Sequence, residues 1–176
     1  MTGLITHKAE LRLRQLLPIL TVALALLLDL APLPDAGPQA QAPKLVFAVV
    51  FFWALHRPEL LPPLALFLLG LAGDLVAGSL VGLGPAMLLL LREAVARQQR
   101  FLLAASPLGR WVGFAGYVAV MMVAVWLVTS AHALRWQAID PLAVQALLTV
   151  LAWPVVAVLL IQVHARLPRV RHAAGG

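Results

Sequence analysis

The chain contains no cysteine. Disulfides, thiolate metal centres and cysteine nucleophiles are therefore excluded by count. Charge is also scarce: Asp, Glu, Lys and Arg make up 11% of the 176 residues, against about 25% in soluble domains. Paired carboxylates for acid/base chemistry are correspondingly hard to assemble from seven acids scattered over the chain. The five histidines fall in different segments, with no two at helical spacing for a shared metal, and H-E-x-x-H, Walker and G-x-S-x-G patterns are absent. The sequence therefore predicts no enzyme, no cofactor and no metal site.

What is abundant is apolar surface. Hydrophobic residues make up 62% of the chain and the mean hydropathy is +0.96, which in water would leave large aggregating patches. The composition predicts an all-α integral membrane protein with lipid as its main solvent. The net charge of +6 does not point to nucleic acid, because the basic residues cluster beside apolar segments, where membrane orientation signals lie.

The apolar segments predict a single transmembrane domain over 1–176, a bundle of six helices near 15–33, 42–57, 60–77, 81–97, 107–130 and 141–165. The first follows Lys8, Arg12 and Arg14. A signal peptide is the competing reading of this start, but its best cleavage triplet, Ala40-Gln41-Ala42, lies well past the apolar core and beyond Asp29 and Asp35. Residues 32–43, PLPDAGPQAQAP, read as a loop. The run Leu45 to Leu55 is short for a hydrocarbon layer of about 30 Å and predicts a tight or distorted span. Residues 60–91 as one helix would be about 48 Å long, which is too long, and Gly70, Gly73, Gly78, Gly82, Gly84 and Pro85 crowd its middle. Two helices joined by a tight turn near Gly78-Ser79 are expected instead. Ser106-Pro107 and Asp140-Pro141 each supply a polar N-cap and a proline for the first helical position.

Six spans with cytoplasmic termini place 11 of the 13 basic residues inside, leaving only Lys44 and Arg135 outside. A four-span arrangement, with 45–55 not crossing and 60–91 as one helix, moves only Arg57, so the glycines rather than the charges favour six. A five-span arrangement would put the arginines of 92–110 outside and is disfavoured. The basic inner face would attract anionic headgroups or an acidic partner, although topology alone also accounts for it.

Recognition residues are the remaining candidates. Asp74 is the one ionisable residue within a long apolar stretch, and it reads either as a cap for the turn or as a recognition or gating group. His56 to Glu59 read as a charged turn, or, through Arg57 and Glu59, as a partner contact. Gly109, Gly113 and Gly116 form a stripe suited to close helix docking, whereas the GxxxG spacing of Gly78 and Gly82 falls in the predicted turn.

The segments WALHRPE, from Trp53 to Glu59, and FLLGLAGDLVAGSLVGLG, from Phe67 to Gly84, resemble the rod shape-determining membrane protein family MreD. Arg57, Pro58, Gly70, Leu71, Asp74, Gly78 and Gly82 occupy the places of that family's motifs, and Leu80 and Val81 stand where some members carry proline. The resemblance implies a non-enzymatic, multi-pass protein of the bacterial inner membrane within the machinery that elongates peptidoglycan. It also implies MreC, RodA with a class B penicillin-binding protein, MreB and RodZ as partners. It further implies likeness to the substrate-binding subunits of energy-coupling-factor transporters. A vitamin-binding transporter subunit is accordingly the alternative function.

Overall fold

A computed structural model describes residues 2–31 and 42–165, with side chains described within 16–31 and 42–162. The side chains of Lys8, Arg12 and Arg14, the linker 32–41 and the tail 166–176 lie outside it. The described residues form seven helices and no strand: α1 (Thr2–Leu30), α2 (Leu45–His56), α3 (Pro63–Ala77), α4 (Leu83–Arg97), α5 (Gln99–Ala104), α6 (Pro107–His132) and α7 (Asp140–Ala165), with a 3-10 turn at Pro58–Leu60.

The short helix α2 is the centre of the molecule. Every residue from Val46 to Leu55 is buried, so its uniform hydrophobicity is that of a core helix with neighbours on all sides. Helices α1, α4 and α7 pack along it, α5 and α6 complete the cover, and α3 packs outside on α4 and α1. Phe51 of α2, Phe114 of α6 and Trp153 of α7 form the heart of the core, with ring centroids 4.8–5.0 Å apart. Trp53 turns the other way and donates its Nε1–H to Thr21 Oγ1 at 2.9 Å, pinning α2 to α1.

The outer surface is apolar. Leu20, Leu24 and Leu27 of α1, Leu64 and Val76 of α3, Val112 and Val120 of α6, and Leu151 and Val155 of α7 are all exposed. A water-soluble bundle would hide such rows, whereas lipid accepts them. Helix α6 and the Asp140–Gln162 part of α7 are each long and apolar enough to cross a membrane, and Leu16–Leu30, α2 and α3 are shorter apolar helices.

Two features depart from the sequence reading. Helix α1 begins at Thr2 rather than near residue 15, because its basic leader holds no proline before Pro18 and only Gly3, in the first turn, as a weak helix former, and a helix can continue beyond the apolar part of its sequence. Helix α5 stands where a polar connection is expected. Its Leu102 is buried while Phe101 is exposed, and the Gln99 side chain donates to the Leu55 carbonyl at 2.8 Å, tying α5 to the end of α2. Six residues are too few to show a helical period in sequence.

Candidate functional site

The α3–α4 connection is built around one carboxylate. Helix α3 ends at Gly78, whose φ of 62° is the left-handed conformation that glycine adopts without a Cβ penalty. The Ser79 N–H returns to the Asp74 carbonyl at 3.0 Å. The Asp74 side chain then reaches forward. Its Oδ1 accepts the Ser79 hydroxyl at 3.0 Å, and its Oδ2 accepts the N–H groups of Gly82 and Gly84, each at 2.9 Å. Gly82, at φ 98°, is the N-cap of α4, so the carboxylate sits at the positive end of that helix and satisfies donors that have no partner within it. Asp74 is therefore a capping group, supplied from the preceding helix, with only 7% of its surface exposed.

The glycines of this motif follow from the close approach. A Cβ on Gly84 would lie 2.5 Å from Asp74 Oδ1, and one on Gly70 would lie 2.6 Å from Pro85 N and 2.8 Å from its Cα. Thus Gly70 lets two backbones cross, and Gly84 makes room for the carboxylate.

The same device occurs a second time, at a residue to which sequence reasoning attached no capping role. Asp29, in the last turn of α1, accepts the Leu45 N–H at 2.8 Å and the Val46 N–H at 3.2 Å, capping α2. Thr149 of α7 accepts the Lys44 N–H at 2.9 Å, and Gln145 donates to the Ala42 carbonyl at 2.9 Å. These partners satisfy orphan backbone groups at the half-buried start of α2. A signal was present in the sequence. An acid near a helix C-terminus opposes its own helix dipole, so its presence there points to service at a neighbouring N-terminus. Asp29→Ala is expected to cost about 1–3 kcal/mol by orphaning buried donors of α2, read as a lowered Tm of the purified protein.

At the opposite end, Arg92 of α4 closes the α2–α3 connection. Its Nε donates to the Leu61 carbonyl at 2.8 Å and its Nη2 to the Pro58 carbonyl at 3.1 Å. The motif residues Arg57 and Glu59 meet only loosely, at 3.8 Å, with side chains 35% and 60% exposed, and such a pair adds about 0–1 kcal/mol. Their exposure leaves them open to a partner, while Pro58 shapes the turn that Arg92 holds.

The structure separates the members of the α6 glycine stripe. A Cβ on Gly113 would meet Leu102 of α5 at 2.9 Å, and one on Gly109 would meet Ala105 at 3.1 Å, so both serve contacts with α5 and the segment that follows it. Gly116 faces open space within 4 Å. Among the described residues no three His, Asp or Glu side chains gather as a metal site.

The family model for the rod shape-determining protein MreD matches residues 10–163, which spans the bundle and both capped connections. The chain belongs to the MreD family. No curated protein and no solved structure matches it significantly. MreD membership makes this a rod shape-determining membrane protein, a structural component of the cell-shape machinery rather than a member of an enzyme family. The residues of the MreD-like motif divide accordingly: Gly70, Asp74, Gly78 and Gly82 build the α3–α4 turn, and Arg57, Pro58 and Glu59 form the connection at the other end.

Proposed function

We propose that this chain is a six-span inner-membrane component of the peptidoglycan elongation complex, with both termini cytoplasmic, that binds MreC and helps assemble or regulate the RodA and class B penicillin-binding protein synthase near MreB and RodZ. The observation that best supports the topology is the Arg92 clamp on Pro58 and Leu61, which brings the end of α4 back to the start of α3. Residues 60–91 then go out and return, and the half-buried Arg57 and the exposed Arg97 and Arg100 share one end of the bundle. Arginines gathered at one end favour the cytoplasmic side. Reporter fusions after Glu59 and after Arg97 are expected to report the same, cytoplasmic, side; opposite sides would overturn the topology.

For MreC, the supporting feature is the uncovered face of α6, where Val112, Val120, Val123 and Leu127 are exposed around the open Gly116. A single transmembrane helix could approach closely there, since helix association in lipid rests on backbone proximity at small residues. A photo-crosslinker at position 116 or 120 is expected to capture MreC in cells with an assembled complex, and one at 113, beneath α5, is not. Gly116→Leu should abolish co-purification of MreC while leaving the stability of the isolated protein within about 1 kcal/mol, because no described residue lies within 4 Å of a Cβ at that position. Capture of lipid alone from position 116 would remove this face from consideration.

A further inference from the structure

Helix α7 carries a proline in its middle, Pro154. Proline has no N–H, so the carbonyl four residues earlier, that of Val150, loses its helical donor. In water a solvent molecule would replace that donor. Here the exposed Leu151 and Val155 flank an exposed Pro154 on an apolar surface suited to lipid, where backbone groups need partners from the protein itself.

The bundle supplies one from another helix. The Trp111 indole of α6 donates its Nε1–H to the Val150 carbonyl at 2.9 Å, across 39 residues of chain. Both residues are half-buried and pack against the core, so the bond lies at the α6–α7 seam. By contrast, Trp53 donates to the Thr21 hydroxyl and Trp126 to the Gln137 carbonyl in the α6–α7 connection. Trp111 reaches a carbonyl in mid-helix, and what frees that carbonyl is the proline.

The two halves of α7 are held differently. Before Pro154, Thr149 accepts the Lys44 N–H, Gln145 donates to the Ala42 carbonyl, and Trp153 packs its ring against Phe51 and Phe114. Beyond it, no side-chain hydrogen bond among the described residues holds residues 155–162, where Leu160 is buried while Val155, Val158, Leu159 and Ile161 are exposed. The missing rung of the ladder thus stands between a tied half and a loosely held one, which is where a helix bends.

We propose that Trp111 and Pro154 form a releasable latch across a hinge in α7. With the indole on the Val150 carbonyl, α7 is held against α6; with the indole withdrawn, the segment after Pro154 swings relative to the rest of the bundle. Trp111 directly precedes Val112 on the exposed face of α6, so displacement of that face and bending of α7 are joined through this one hydrogen bond. The inference depends neither on MreC nor on the orientation of the bundle.

The test is a double-mutant cycle of Trp111→Phe and Pro154→Ala on the purified full chain in detergent. Phenylalanine keeps an aromatic ring and removes the donor, whereas alanine at the exposed position 154 restores a backbone N–H for the Val150 carbonyl. Trp111→Phe is expected to lower Tm by about 2–6 °C with proline in place, and by less than half as much in the Pro154→Ala background. The hinge is read by spin labels on Leu64→Cys and Leu159→Cys, exposed positions in a chain with no cysteine of its own. The wild-type distance distribution should be narrow, Trp111→Phe should broaden it, and adding Pro154→Ala should narrow it again. Equal Tm losses in the two backgrounds would show that the ring only packs, and would overturn the latch. An unchanged distribution in Trp111→Phe would overturn it too. Should Trp111→Phe fail to fold, a folded double variant supports the latch and an unfolded one overturns it.

Discussion

Asp74→Ala is expected to destabilise the protein by about 2 kcal/mol, because it removes the side-chain acceptor of two N–H groups, those of the exposed Gly82 and the half-buried Gly84. The carboxylate also faces the positive end of α4, so its loss removes a favourable charge–dipole interaction. Asp74→Asn is expected to fall between alanine and wild type. Both carboxylate oxygens accept, Oδ1 from Ser79 and Oδ2 from Gly82 and Gly84, and an amide can present only one oxygen to these donors. Thermal unfolding in detergent, together with the amount of protein reaching the membrane, reads the order wild type, Asn, Ala. An alanine variant as stable as wild type would refute the capping role, and a stable variant that fails to support rod shape would return Asp74 to recognition or gating.

Gly70→Ala carries the second large effect. Alanine is favoured over glycine within a helix by about 1 kcal/mol, so propensity alone predicts stabilisation. The tertiary contact outweighs it. The added Cβ would meet the backbone of Pro85, N at 2.6 Å and Cα at 2.8 Å, and backbone cannot rotate away as a side chain can. Separating α3 from α4 would also stretch the bonds from Asp74 to Gly82 and Gly84, so overpacking of about 1–3 kcal/mol is compounded by a weakened cap. Gly70→Val should be worse. Gly116→Ala is the internal control: in open space the same exchange should be neutral or stabilising by up to about 1 kcal/mol. Equal effects at positions 70 and 116 would show that helix propensity, not the α3–α4 crossing, governs both sites.

The two variants explain why the motif residues differ in legibility. Gly78 and Gly82 mark a turn in the favoured six-span reading, since glycines crowding the middle of an apolar run too long for one span favour a break there. Gly70 lies eight residues earlier, inside a helix, and nothing local requires it; only the neighbouring backbone does. Asp74 could be placed near the end of its helix, but whether its carboxylate met water, a ligand or the next helix depended on a fold-back that periodicity does not report. Gly109, Gly113 and Gly116 look alike in sequence, and α5, which no pattern announced, is what divides them.

Composition and spacing by themselves determined that the chain is helical, that lipid is its main solvent, where the long apolar segments lie, and that residues 60–91 must break near Gly78, because these follow from hydropathy, helix rise and the conformations open to glycine. Only the tertiary structure decided that α2 is the buried axis and that Asp29 and Asp74 each cap the helix that follows their own. Those outcomes depend on groups far apart in sequence meeting in space: a buried N–H takes whichever acceptor the packing brings to it, and local sequence does not name that acceptor.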